Sequence, residues 1–259
     1  MNVNSCYDQL KNEMSGSNPD LKKCGQYLSV LKASLIPQVL GNPKTTDVKN
    51  LVVARDVLEL GALWSIRMKD IPSFERFYNQ LKTFYHDYKT IMPESPRMYS
   101  IFGLYLLCLL SQSRIADFHS AIELIDSNQL LSNDNPFVRH PVQLEQYLME
   151  GAYNKVWYAR GDVPGVEYNF FMDILMETVR AEIATSIENA YDYLPLQNAA
   201  NLLYFKEANA LNAFIKQRNW NVKDNIIYFK VANNSVNQVP CVEVYKKTME
   251  YARELEKIV

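Results

Sequence analysis

The stretch His140-Pro-Val-Gln-Leu-Glu-Gln-Tyr-Leu-Met-Glu-Gly-Ala-Tyr-Asn-Lys-Val-Trp-Tyr-Ala-Arg-Gly-Asp-Val163 sets the pattern for the whole chain. Leu144, Leu148, Ala152, Val156 and Ala159 recur every three or four positions, the period of one helix face. Pro141 fits the first turn of a helix, where a missing N–H costs little. The pattern therefore predicts one amphipathic helix over residues 141–159. Gly151 and Ala152 give its apolar stripe a small-residue notch for close approach of another helix. Gly161 stops the helix, and Asp162-Val163-Pro164 opens the next. Nothing in the stretch is a catalytic motif; it reads as one unit of a helical scaffold.

Outward from it, Gly, Pro, Ser and Asn concentrate at 15–19, 41–46, 92–96, 127–136 and 160–165, which read as loops. Between them the period is helical, with helices predicted over 21–39, 47–67, 71–90, 97–112, 115–127 and 165–191. In the last, Phe171, Leu175, Val179, Ile183, Ile187 and Tyr191 fall at steps of four. The helices form pairs of roughly 35–45 residues, the range of tetratricopeptide-like repeats, with no strict repeat consensus. Residues 1–191 thus read as a right-handed helical-repeat solenoid, in which each pair buries its face against its neighbours.

Past Leu194 the pattern changes. Short helices are predicted over 196–204 and 209–218, the second turning Leu211, Phe214 and Ile215 inward. Ile227, Phe229 and Val231 then alternate with Ile226, Tyr228 and Lys230, the period of a strand. Lys223-Asp224-Asn225 reads as a hairpin turn. Two short helices followed by a β-hairpin make a winged helix over residues 192–241. A terminal helix follows over 242–259, its Val244, Thr248, Tyr251, Leu255 and Ile258 spaced 4-3-4-3 as in a coiled-coil seam. The fold class is mainly α.

Composition narrows the function classes. The 259 residues carry a net charge of −2, which argues against a protein built to neutralise phosphates. The 8 glycines suit a helical protein, and 17 tyrosines with 11 phenylalanines suit packing between helices. Cysteines 6, 24, 108 and 241 have no metal or redox spacing and read as thiols in a reducing compartment. The longest apolar run, 101–110, is too short to span a bilayer, and the N-terminus has no signal-peptide design. The histidines at 86, 119 and 140 are not spaced as ligands, and no nucleotide loop or nucleophile elbow occurs. The reading is of no enzyme, no cofactor and no metal. Arg160-Gly161-Asp162 is a helix stop and restart. Lys206, Lys216, Arg218, Lys223 and Lys230 make only a thin basic surface, which favours a protein-interaction module over a nucleic-acid binder.

Taken together, 140–163, 169–190, the 192–241 module and the terminal Val244-Tyr-Lys-Lys-Thr-Met-Glu-Tyr-Ala-Arg-Glu-Leu-Glu-Lys-Ile-Val259 resemble the PCI-domain proteins. Asp70-Ile-Pro-Ser-Phe-Glu-Arg-Phe77 and Leu109-Leu-Ser-Gln112 are similar as well, and Leu144-Glu-Gln-Tyr-Leu-Met-Glu-Gly151 is the most specific phrase. The likeness covers roughly Arg55 to Val259 and is strongest to the branch in the lid of the proteasome regulatory particle. It implies a non-catalytic scaffold of cytoplasm and nucleus whose partners are other PCI-domain lid subunits. Edge-to-edge pairing of winged helices would make the strand with Ile226, Tyr228 and Lys230 an edge that takes a neighbour's strand. A shared bundle of C-terminal helices would be contacted by Val244, Tyr251, Leu255, Ile258 and Val259. A sister scaffold, in the COP9 signalosome or translation initiation factor 3, and a nucleic-acid-binding winged helix remain as alternatives.

Overall fold

The structure, a computed structural model, describes residues 3–15, 20–41, 48–88, 92–124, 135–205, 208–229 and 241–257. It is mainly helical, with one small antiparallel sheet. The helices are α1 (Val3–Ser15), α2 (Leu21–Gly41), α3 (Val48–Arg67), α4 (Ile71–His86), α5 (Met98–Ser111), α6 (Ile115–Glu123), α7 (Pro136–Met149), α8 (Tyr153–Ala159) and α9 (Tyr168–Ala190). After them come β1 (Tyr193–Pro195), α10 (Leu196–Leu202), α11 (Ala208–Arg218), β2 (Asn221–Lys223), β3 (Ile226–Tyr228) and α12 (Cys241–Glu256). The chain divides into two compact units, 1–181 and 182–259, with the boundary inside α9.

In the first unit α1 packs on α2, α2 on α3, α3 on α4 and α5 on both α6 and α7. The reason is legible in α5, where ten of fourteen residues, Ile101 to Leu104 and Leu106 to Ser111, are buried. A helix apolar on all sides must be covered on all sides. Closeness is set by small residues. A Cβ on Gly61 would run into the Phe77 ring, and one on Gly103 into the Phe137 carbonyl and the Tyr168 hydroxyl. Asp70 caps α4 by accepting from the Ser73 N–H at 3.2 Å, with Pro72 in the first turn.

The helix predicted over 141–159 is two helices. α7 starts at Pro136 and ends at Met149; α8 starts at Tyr153. Gly151 stands between them at φ 68°. Its N–H donates to the Leu148 carbonyl at 3.1 Å, and the Ala152 N–H to Tyr147 at 2.9 Å, the paired bonds of a Schellman ending. The glycine therefore serves the backbone and is no packing notch: a Cβ there would meet nothing within 4 Å. Pro141 does not open the helix either. It lies inside α7, and its missing N–H leaves the Phe137 carbonyl without an intrahelical donor. Tyr168 Oη lies 3.4 Å from that oxygen and donates to the Ser100 carbonyl at 2.9 Å. Gly103, Phe137, Pro141 and Tyr168 thus form one junction of α5, α7 and α9.

The second unit buries Ile183, Ala184 and Ile187 of α9 with Leu194, Ala199, Leu203, Leu211, Ile215, Trp220 and Ile227. Its sheet has the order β1-β3-β2, both pairs antiparallel. Asp224 and Asn225, at φ 50° and 61°, make the tight turn between β2 and β3, where the hairpin was expected. The expected edge role of the strand holding Ile226 and Tyr228 is overturned, because β3 is central. Ile227 pairs with Leu194 on one side and Val222 on the other. β1, only three residues long, is too short to read as a period, yet it takes the place beside β3.

Candidate protein-interaction surface

Three surfaces of the second unit carry the expected interaction residues. The first is the solvent face of the sheet. Strand alternation sends Leu194 and Ile227 into the core and leaves Tyr193, Pro195, Asn221, Lys223 and Tyr228 exposed, with Ile226 half-buried. Tyr193 and Tyr228 sit opposite each other, ring centroids 6.4 Å apart. Ile226 and Tyr228 therefore belong to a face, while the edges are β1 and β2. Proline on β1 withholds a backbone donor, and β2 carries Lys223 and is three residues long; both limit unplanned strand addition. Lys230, the third residue expected there, lies outside the described residues.

The second surface is α11. Asn212, Lys216, Gln217 and Asn219 are exposed, as the helical spacing implies. Arg218 is engaged: its guanidinium reaches Thr185 Oγ1 at 3.4 Å and Glu188 at 3.8 Å, and lies over the Phe214 ring. Glu188 also accepts from Trp220 Nε1 at 2.7 Å. Left-handed Asn219 turns the chain so that the Trp220 N–H returns to the Ile215 carbonyl. Trp220 packs edge-on to Phe214 and Phe229. One of the expected basic residues is thus spent on holding the fold, which thins the phosphate-binding surface further.

The third surface is α12. Every described residue from 241 to 257 is exposed. Val244, Tyr251 and Leu255 are 52%, 69% and 50% exposed. Tyr245, Met249 and Val242 continue the apolar arc round from that seam, interrupted by Glu256, while Glu243, Lys246, Lys247, Glu250, Arg253, Glu254 and Lys257 occupy the remaining arc. The one polar residue in the seam, Thr248, hides its hydroxyl in a 2.6 Å bond to the Val244 carbonyl. Ile258 and Val259 lie outside the described residues.

The notable polar group of the first unit, unseen in the sequence, is a cluster inside α3. Arg55 donates to the Pro93 carbonyl at 2.7 Å and to Asp56, Tyr7 donates to Asp56 at 3.0 Å, and Tyr85 to Glu59 at 2.9 Å. Burial pushes the Glu59 carboxyl up, against hydrogen bonds from Ser95 and Tyr85 that lower it. The contacts from Tyr7, from Tyr85 and from Arg55 to Pro93 each join two chain segments, which is a structural use. His119 meets Glu145 at 3.3 Å. Burial pushes the Cys108 thiol up to about 12, so it is inert. Among the described residues no three His, Cys, Asp or Glu side chains gather as a metal site, and no helix is long and apolar enough to cross a membrane.

A family model described as the CSN8/PSMD8/EIF3K family matches residues 96–240, more than half of the chain. The chain belongs to the CSN8/PSMD8/EIF3K family. The match runs from the start of α5 through the sheet, so α12 lies beyond it. Relatives extend the likeness. The 26S proteasome non-ATPase regulatory subunit 8 homolog A of Arabidopsis thaliana is 38% identical over 93% of this chain and 92% of its own length. The 26S proteasome regulatory subunit rpn12 of Schizosaccharomyces pombe is 40% identical over 84% of this chain and 78% of its own. The RPN12 subunit of Saccharomyces cerevisiae is 33% identical over 93% and 94%.

Proposed function

We propose that the chain is a non-catalytic scaffold subunit of the lid of the 26S proteasome regulatory particle. It works in cytoplasm and nucleus, supports lid assembly and so serves ubiquitin-dependent protein degradation. Its partners are other PCI-domain lid subunits. The names of the relatives support the complex, and the family model's description supports the branch. One observation carries the scaffold reading: α12 is a regular amphipathic helix none of whose residues is buried. Fully burying a Leu or Val side chain contributes about 1.5–3 kcal/mol, so a whole exposed apolar face is a poor end state for a helix. A helix bundle shared with other chains covers it.

In this reading residues 1–191 are a helical-repeat solenoid, 192–241 a winged helix and 242–259 the bundle helix. The order β1-α10-α11-β2-β3, closed by a tight turn, supports the winged helix. Ile226, Tyr228 and Lys230 act as protein-contact residues of the winged-helix module. Val244, Tyr251, Leu255, Ile258 and Val259 act from the bundle helix.

The test is removal of residues 242–259 in cells, with affinity purification and mass spectrometry. The full chain is expected to bring down proteasome lid subunits; the truncated chain is expected to remain folded and bring down fewer. Co-purification of signalosome subunits or ribosomes without proteasome would sink the reading. An unfolded truncated chain would make α12 an internal strut.

A further inference from the structure

His140 stands outside every surface described above. It is nine-tenths buried in α7, and its Nε2 lies 3.2 Å from the carbonyl of Ala159, the last residue of α8. A carbonyl oxygen only accepts, so Nε2 carries the proton of the neutral ring. Nδ1 is then the bare nitrogen, and it is buried without a hydrogen-bond partner among the described residues. A second proton would have to go there, placing an N–H and a positive charge where no acceptor meets them. Such a group is expensive to bury unpaired.

The surroundings do not offset this. From α9, Tyr168 presents its ring edge-on at 6.5 Å, and burial keeps its hydroxyl un-ionised. From α8 the contact is the Ala159 carbonyl, and beyond α8 Asp162 is the carboxylate whose charge bears on the ring. On α7 itself the adjacent Arg139 is exposed. Burial holds the imidazole below its ordinary value near 6.5, with the Ala159 bond and Asp162 opposing more weakly.

We propose that His140 is a proton-sensitive latch: its neutral ring ties the end of α8 to α7, and a protonated ring is solvated only by leaving that site. The α7–α8 junction is suited to move. Gly151 makes its bend by backbone conformation with open space around it, and α8 is a helix of two turns with one buried residue, Val156. Acidification should therefore loosen α8 before the rest of the first unit.

The test is amide hydrogen exchange on the full chain near pH 7.5 and near pH 5.5, corrected for the intrinsic rates. In the unaltered protein, residues 153–162 should lose about ten-fold in protection at the lower pH, while α5 holds its own. His140→Gln keeps a side-chain N–H for the Ala159 carbonyl but cannot titrate, so its α8 protection should be the same at both pH values. Equal protection of α8 in the unaltered protein, or an equal loss in the variant, overturns the latch. The His140 ring can also be titrated by NMR without any substitution. A midpoint below the ordinary 6.5 supports the latch, and one at or above it overturns it.

Discussion

Two helices of similar length, α5 and α12, meet opposite fates. α5 has ten of its fourteen residues buried, including Leu104, Leu106 and Leu107. α12 has sixteen residues and buries none. Their sequences differ in the same sense. α5 is apolar on all sides with no charge, whereas α12 puts its apolar residues on one side and Glu, Lys and Arg on the other. An all-apolar helix needs its own chain to surround it. A two-faced helix left exposed has no cover for its apolar side among the described residues, which is what the shared bundle of the proposed function would supply. The comparison separates residues that make the fold from residues that the fold displays.

The largest expected effect is at the centre of α5. Leu106→Ala should lower unfolding free energy by about 2–5 kcal/mol, because Leu106 is fully buried and its loss opens a cavity. Chemical denaturation of the isolated chain checks it. A value near zero would mean that α5 is less tightly enclosed than its burial implies. Next comes Gly103→Ala, an added methyl rather than a lost one. The new Cβ would push on the Phe137 carbonyl, which is backbone and cannot swing away. Overpacking of this kind costs about 1–3 kcal/mol. Tyr168→Phe should relieve only the hydroxyl part of that clash, leaving the one with the Phe137 carbonyl, and should itself cost about 1 kcal/mol, since the Ser100 carbonyl loses its hydroxyl donor.

The helical class, the approximate run of α2 to α5, the hairpin turn and the amphipathic α12 were legible in the sequence. Period and turn chemistry are local signals, and these elements obey local rules. What escaped was set by long-range or backbone geometry. β1 could not be read because three residues carry no period, and only its pairing with Ile226–Tyr228 makes it a strand. That omission turned a central strand into an expected edge. The break after Met149 was signalled by Gly151, but the apolar stripe runs across the break and masked it. Several other helix ends use no glycine at all. Lys69, Ser113, Tyr204 and Asn219 take the left-handed conformation themselves, so a search for glycine stops could not find them. The apolar seam of α12 was legible from its spacing, whereas Ile226 and Tyr228 were legible as an alternating set but not as part of a sheet face.

Gly151 allows a finer test of what ends α7. Gly151→Ala meets open space, so any cost comes from holding a left-handed backbone with a Cβ present. That is about 1 kcal/mol. Gly103→Ala and Gly151→Ala thus separate two reasons for a glycine, close approach and backbone hand. A Gly151→Asn variant should recover part of the loss, since asparagine tolerates this conformation, while Gly103→Asn should be worse than Gly103→Ala.

The smallest expected effect on stability is the most telling for function. Leu255→Asp puts a charge into the seam of α12, where Leu255 is half exposed. In the isolated chain the change should stay within about 0.5 kcal/mol, as for surface substitutions generally. In cells, where the seam is buried against partners under the proposed function, the same aspartate must be desolvated, and recovery of lid subunits with the chain should fall sharply. Lys247→Asp, on the charged side of the same helix, should leave recovery far less affected. Denaturation and affinity purification read the two halves of this contrast independently. A Leu255→Asp chain as unstable as Leu106→Ala would place α12 with α5 as part of the fold. A chain that is stable and still fully assembled would show that the seam is not the contact surface. Stability kept and assembly lost is the outcome that holds the two helices apart.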